Sequence, residues 1–135
     1  MIRQITVLGS GTMGRGIAYL AAVAGYDTVI HDIDAGALEA AKASIESTLR
    51  KGVEKGKVDA GAAEAALARV QIIAELEPAV SGADLIIEAV PEVLELKIDL
   101  FAQADLFCGA DTILASNTSS ISISQLAANV ERRDR

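Results

Sequence analysis

Gly9, Gly11 and Gly14, in the run Val7-Leu8-Gly9-Ser10-Gly11-Thr12-Met13-Gly14, are spaced to let a main chain close around a phosphate. Each glycine has its own task. Gly9 permits the tight bend out of a strand, Gly11 lets the backbone approach a pyrophosphate, and Gly14 lets the new helix press against the sheet. Thr12 and Met13 complete this candidate cofactor-binding set at the start of the helix, where free N–H groups face the ligand's negative charge. Such glycine spacings also occur in ordinary loops, so the flanks decide. Gln4 to Leu8 reads as a buried strand, and Thr12 to Ala24 as a helix ended by Gly25.

Asp32 is the second chemical residue. It follows Gly9 by 23 positions, at the end of the strand Thr28 to His31. A dinucleotide fold places there the acid that accepts hydrogen bonds from the adenosine ribose. An acid at that point repels a 2′-phosphate, and no arginine follows within several residues, which selects NAD over NADP. Capping a helix is the other use for Asp32, but Asp34, directly before Ala35, is better placed for it. His31 is the sole histidine. It lies on the adenosine side, away from any hydride transfer, and reads as a partly buried strand residue. Cys108 is the sole cysteine, which excludes an internal disulfide and leaves no partner for a metal site. It is expected to pack beside Phe107 at a helix end.

The elements that must position these groups follow from periodicity. Ile17, Leu20, Ala21 and Ala24 form the stripe of the first helix. Ala35 to about Lys55 is a long helix with Leu38, Ala41, Ile45 and Leu49 on one face, continued by a second from Ala60 to Leu67. This pair exceeds what a crossover needs and suggests an arm. Its tip, Arg50 to Lys57, holds four cations and one acid, and reads on residues alone as a solvated helix end. Val70 to Ile73 is a strand, Pro78 suits the first turn of a short helix, and Ala83 to Val90 is a nearly unbroken apolar strand ended by Pro91. Leu94 to Phe107 follows as an amphipathic helix with Leu94, Ile98, Phe101 and Leu106 among its apolar positions. Thr112 to Ala115 is the fifth strand, running into Ser116-Asn117-Thr118-Ser119-Ser120, and Ser122 or Ser124 can cap a last helix over Gln125 to Ala128. Strands and helices alternating in this way predict an α/β fold, a doubly wound parallel sheet with a helical arm after the second strand. In such sheets ligands lie beyond the strands' carboxyl ends, where the five small polar residues fall.

Composition narrows the partners. The net charge of −7 opposes a nucleic-acid surface, and aromatic residues, at 3%, leave few platforms for base stacking. No apolar run approaches a bilayer span and no signal-type core opens the chain, so a soluble, cytoplasmic protein without membrane contact is expected. An anionic ligand must be held locally, by helix N-termini and a few lysines.

Three segments together resemble the NAD-binding Rossmann domain of the 3-hydroxyacyl-CoA dehydrogenases, including the bacterial 3-hydroxybutyryl-CoA dehydrogenases. They are Gly9-Ser10-Gly11-Thr12-Met13-Gly14-Arg15-Gly16-Ile17-Ala18, then Asp84-Leu85-Ile86-Ile87-Glu88-Ala89-Val90-Pro91-Glu92 with Lys97, then Ala115-Ser116-Asn117-Thr118-Ser119-Ser120. The resemblance spans nearly all of residues 1–135, and its last segment is the most specific. It implies interconversion of 3-hydroxyacyl-CoA and 3-oxoacyl-CoA by hydride transfer to or from NAD, in fatty acid or butanoate metabolism. It implies that Glu92 and Lys97 hold the nicotinamide ribose, that Asn117 and Ser119 line the reacting centre, and that Ser119 bonds the substrate oxygen. Thr48 and Lys55 would contact coenzyme A, and the basic tip would join that site. Read without the resemblance, Glu92 and Lys97 are an early-helix acid and an exposed lysine.

The family's general base, a histidine held by a glutamate and followed by Asn-Pro, comes after the segment matching Arg132-Arg133-Asp134-Arg135. With it comes a helical domain that completes the acyl pocket and a homodimer interface. The expectation is therefore that residues 1–135 bind NAD and catalyse little alone, with the fifth strand at a sheet edge. A stand-alone NAD-binding or redox-sensing module, and a related 3-hydroxy acid dehydrogenase, are the alternatives.

Overall fold

Strands separated by crossover helices are forced into parallel register, and the chain follows that rule throughout. The computed structural model describes all 135 residues. In order they form β1 (Gln4–Leu8), α1 (Thr12–Val23), β2 (Asp27–His31), α2 (Ala35–Glu54), α3 (Ala60–Ala68), β3 (Val70–Ile73), α4 (Leu76–Val80), β4 (Leu85–Glu88), α5 (Leu94–Phe107), β5 (Ile113–Ser116) and α6 (Ile123–Ala127). The five strands make one parallel sheet in the order β3-β2-β1-β4-β5. The doubly wound parallel sheet expected from the alternation of strands and helices, and the Rossmann fold implied by the resemblance, are what is observed. No helix is long and apolar enough to cross a membrane.

Register places the strand ends in a row. Leu8 pairs with His31 on one side and Glu88 on the other, and Glu88 pairs with Ser116. The residues that follow, Gly9, Asp32, Ala89 and Asn117, therefore leave the sheet along one edge. Between β1 and β4 the strand order reverses, which opens a crevice beyond their carboxyl ends.

Because alternate side chains of a strand face opposite ways, the sheet builds two apolar layers. Ile5, Val7 and Ile30 face α1, α2 and α3, packing with Ala18, Ala21, Leu38, Ala41, Ile45, Leu49, Ala63 and Ala66. Leu8, Val29 and Ile86 face α4 and α5, packing with Ala79, Val80, Ala104 and Cys108. Two buried threonines tie the second layer down: the Thr6 hydroxyl donates to Ala79 O (2.7 Å) and that of Thr112 to Ala83 O (2.6 Å).

Several expectations are refined. The fourth strand is limited to Leu85–Glu88, because the Asp84 carboxylate turns to accept the Arg3 and Gln4 N–H groups (2.8 and 2.9 Å), while the Val90 N–H is taken by the Glu88 side chain (2.7 Å). The helical pair α2–α3 is present, but its apolar stripe is buried as far as Leu49, so only the turn around Arg50 to Lys57 resembles an arm. Asp34 caps α2 as expected, accepting from Ala37 N at 3.1 Å. Ser122 occupies the start of α6 without a capping side-chain bond. On α5 the buried face is Lys97, Phe101 and Ala104, and Leu106, expected on the apolar face, is 79% exposed. Strand β5 lies at the sheet edge, where the Leu114 N–H donates to Arg135 O at 2.6 Å.

Candidate functional site

The glycine turn is built as its spacing requires. Gly9 has a φ of +105°, and its N–H donates to His31 O at 2.8 Å. A side chain there would be strained and would lie 2.7 Å from Ala89 O, just beyond the end of β4. Gly14 is tighter still, since a Cβ would fall 1.9 Å from Gly9 O. Gly11 is the opposite case. Its backbone is ordinary (φ −66°, ψ −170°), and nothing lies within 4 Å of where a Cβ would be. That open space is what a pyrophosphate needs, and α1 offers it free donors: Gly11 provides no side-chain cap, whereas α2 and α3 are capped by Asp34 and Asp59. Thr12 and Met13 are exposed at this end, Met13 by 56% despite its apolar side chain.

Asp32 is aimed at the same space. One carboxylate oxygen accepts both the hydroxyl (2.7 Å) and the N–H (3.0 Å) of Ser10, and the other accepts Asp34 N–H at 3.0 Å. Partial burial pushes this carboxyl up, but the Ser10 hydroxyl, the Asp34 and Ser10 N–H groups and nearby His31 outweigh it and hold it below the usual carboxylate range. Ser10, buried and bonded to Asp32, is a positioning residue that spacing alone does not reveal. His31 is more buried than expected, at 5% exposure, with Nδ1 3.1 Å from Ile73 O. Its side chain is directed at β3, so it serves no reaction at the crevice.

Across the crevice, β4 and β5 present a charged group. Lys97, read from the residues alone as an exposed lysine, is 2% exposed, and its Nζ lies 2.9 and 2.7 Å from the Glu88 oxygens and 2.9 Å from Glu92 Oε1. Burial favours the neutral amine, but the two carboxylates overcome it and keep Lys97 protonated beyond the usual lysine range. Glu92 is held low by Lys97 first and then by the Thr118 hydroxyl, with a smaller contribution from the Ser119 N–H. Its side chain remains 42% exposed. Glu88, fully buried inside what reads as an apolar strand, also accepts the Ser116 hydroxyl at 2.6 Å. Sequence reasoning missed it.

The serine-rich segment is shaped by the same network. Ser116 Oγ accepts Thr118 N–H (3.1 Å), Asn117 N–H donates to Glu88 O (2.8 Å), and Thr118 Oγ1 accepts Ile121 N–H (3.0 Å). Asn117 and Ser119 are left exposed at the strand end. Thr48, on α2, and Lys55, the residue that follows its end, are also exposed, with the Thr48 hydroxyl bonded back to Ser44 O at 2.9 Å. No contact joins them to the strand-end group. From the N-terminus of α2 to Thr48 is about 20 Å along the helix. An apolar cavity of about 90 Å³ among Phe101, Leu114, Ile123 and Leu126 lies between α5, β5 and α6, away from the glycine turn. No cluster of three or more His, Cys, Asp or Glu side chains suited to a metal ion is present.

The sequence model of the family described as 3-hydroxyacyl-CoA dehydrogenase, NAD binding domain, matches residues 4–135. The chain belongs to this family. Residues 4–135 are its NAD-binding domain. The chain is 42% identical to the 3-hydroxyadipyl-CoA dehydrogenase of Escherichia coli (strain K12) over 134 residues, which is 99% of this chain and 28% of that protein. It is 40% identical over 134 residues to a probable 3-hydroxybutyryl-CoA dehydrogenase of Bacillus subtilis (strain 168), again 99% of this chain and 46% of the relative. A crystal structure of 3-hydroxybutyryl-CoA dehydrogenase from Escherichia coli K12 superposes with a TM-score of 0.96 at 41% identity, covering 98% of this chain and 28% of that one. The chain thus spans under half the length of these 3-hydroxyacyl-CoA dehydrogenase relatives.

Proposed function

We propose that this domain serves an enzyme that interconverts 3-hydroxyacyl-CoA and 3-oxoacyl-CoA, with Asn117 and Ser119 at the reacting centre. The observation that carries the reading is the shared row of strand ends: the Gly9–Gly14 turn and the group around Glu92, Asn117 and Ser119 open on one crevice. When bound, NAD would supply the hydride acceptor for the carbon bearing the 3-hydroxyl. The chain's residues do the holding. Free N–H groups at Thr12 and Met13 meet the pyrophosphate, Asp32 the adenosine ribose, and Glu92, backed by Lys97, the nicotinamide ribose. Ser119 offers its hydroxyl to the substrate oxygen beside Asn117.

The hydroxyl proton must leave for a base as hydride departs. His31 is buried against β3 and does not supply one. At the far end of α2, Thr48 and Lys55 take the coenzyme A moiety, with Arg50, Lys51 and Lys57 adding positive charge in an otherwise acidic chain. The same reading makes the enzyme a cytoplasmic homodimer.

The test is NADH formation by the full gene product from 3-hydroxybutyryl-CoA against free 3-hydroxybutyrate. Turnover is expected with the thioester only, and Ser119→Ala should lower kcat about 100-fold. Preference for the free acid, or an unaffected Ser119→Ala variant, would remove the assignment. Residues 1–135 alone should bind NADH and form none.

A further inference from the structure

We propose that Glu88 is a positioning residue for the nicotinamide half of the cofactor, acting through Lys97 and Ser116 without touching the ligand. Both of its oxygens are occupied inside the protein. Oε1 accepts from Lys97 Nζ (2.9 Å) and the Ser116 hydroxyl (2.6 Å), and Oε2 from Lys97 Nζ (2.7 Å) and Val90 N–H (2.7 Å). An ammonium carries three hydrogens. With Glu88 engaging two of them, Lys97 keeps one for its second ion-pair partner, Glu92, whose Oε1 lies 2.9 Å from Nζ.

Glu92 lies beside the 118–119 turn, whose Thr118 hydroxyl and Ser119 N–H help Lys97 hold its carboxyl low, and the Thr118 N–H donates to Ser116 Oγ at 3.1 Å. Two arms thus run out from Glu88, one through Lys97 to Glu92 and one through Ser116 to the Thr118 N–H, spanning β4, α5 and β5 and ending side by side at the crevice. The carboxylate at the crevice is Glu92, and the buried carboxylate is Glu88. A buried ion pair is a poor way to gain stability, since apolar side chains of similar volume fill such a space without the cost of desolvating charge. Holding an exposed carboxylate and a backbone turn in one geometry is a task that apolar packing cannot perform. The inference rests on the reading that Glu92 meets the nicotinamide ribose.

The experiment compares NADH with ADP, which carries the adenosine and pyrophosphate but no nicotinamide ribose, by titration calorimetry on residues 1–135. Glu88→Gln should weaken NADH about ten-fold and leave ADP within about two-fold. Ser116→Ala, which removes one bond and no charge, should weaken NADH about three-fold. Because only the Ser116 arm is left to Glu88 once Lys97 is gone, Glu88→Gln/Lys97→Met should bind NADH at most about three-fold more weakly than Lys97→Met alone, not the full ten-fold. That double variant removes the buried charges together, so with Ser116→Ala it carries the test if Glu88→Gln alone does not fold. Equal losses for NADH and ADP, unchanged NADH binding in folded Glu88→Gln, or additive effects in the double variant would overturn the proposal. If Glu92→Gln and Lys97→Met leave NADH binding intact, the ribose reading falls and takes this one with it. If they weaken it and neither Glu88→Gln nor Ser116→Ala does, only the positioning role falls.

Discussion

Gly11→Ala and Gly14→Ala add the same methyl group to the same turn and should fail in opposite ways. At Gly14 the new Cβ would lie 1.9 Å from Gly9 O, so α1 must retreat by about 1 Å or more before the two atoms reach ordinary contact. The obstacle is backbone and cannot rotate away, which places the cost at the upper end for overpacking, about 3 kcal/mol. Replacing a helical glycine with alanine returns about 1 kcal/mol, leaving a net loss of about 2 kcal/mol. For a domain of this size that is a fall of about 8 °C in Tm. At Gly11 nothing lies within 4 Å and φ is −66°, so only the poorer N-cap propensity of alanine counts, about 1 kcal/mol or less.

On the proposed reading, the methyl there takes the space of the pyrophosphate and keeps it from donors worth about 1.5–3 kcal/mol each, so NADH affinity should fall about 10- to 100-fold. Thermal unfolding and NADH fluorescence titration, run on both variants, separate the two effects. A Gly11→Ala protein that binds NADH like the parent, or a Gly14→Ala protein that melts with it, would refute this account of the turn.

Further expectations are as direct. Calorimetry should find NAD bound more tightly than NADP, because Asp32 repels a 2′-phosphate; equal affinities would contradict its role. His31 has its pKa lowered by burial, against the raising effects of Ile73 O and Asp32, so folding favours the neutral ring. Stability should therefore fall as pH drops below about 6.5, the unfolded value, and level off below the folded pKa. Urea midpoints measured through that window should lose this slope in His31→Asn, and an unchanged slope would exclude the assignment. Burial also raises the Cys108 thiol, so iodoacetamide should label the folded protein far more slowly than the urea-unfolded chain. Equal labelling rates would show the thiol to be accessible.

What could be read from the sequence was whatever local geometry demands of a residue type. A turn that admits only glycine at Gly9 and Gly14, and an acid that must follow a particular strand, leave marks at fixed spacings. Glu88 left none. It stands in the run Leu85-Ile86-Ile87-Glu88, and its partner Lys97 is nine residues away on another element, so only the folded register joins them. A signal for Lys97 did exist, because it lies four residues before Phe101 and seven before Ala104, on the buried stripe of α5. The usual preference of lysine for solvent obscured it. Leu106 misled in the other direction, an apolar residue at a plausible spacing that the helix turns outward. Ser10 was hidden inside the motif itself, since its bond to Asp32 depends on where β1 and β2 end together.

The two apolar layers of the sheet are separated along the chain as well as in space. One face, holding Ile5, Val7 and Ile30, finds all its cover in helices complete by Ala68. Leu8 and Val29, on the other, wait for Ala79 and Val80 and then for Ala104 and Cys108. At ribosomal rates of about 5–20 residues per second, the 75 residues from Val29 to Ala104 take about 4–15 s to emerge. During synthesis the nascent chain therefore carries a half-clad sheet, greasy on one side, for far longer than the microseconds to milliseconds in which its finished parts can collapse. The interval in which this protein is open to mispairing is set by the position of α5 in the reading order.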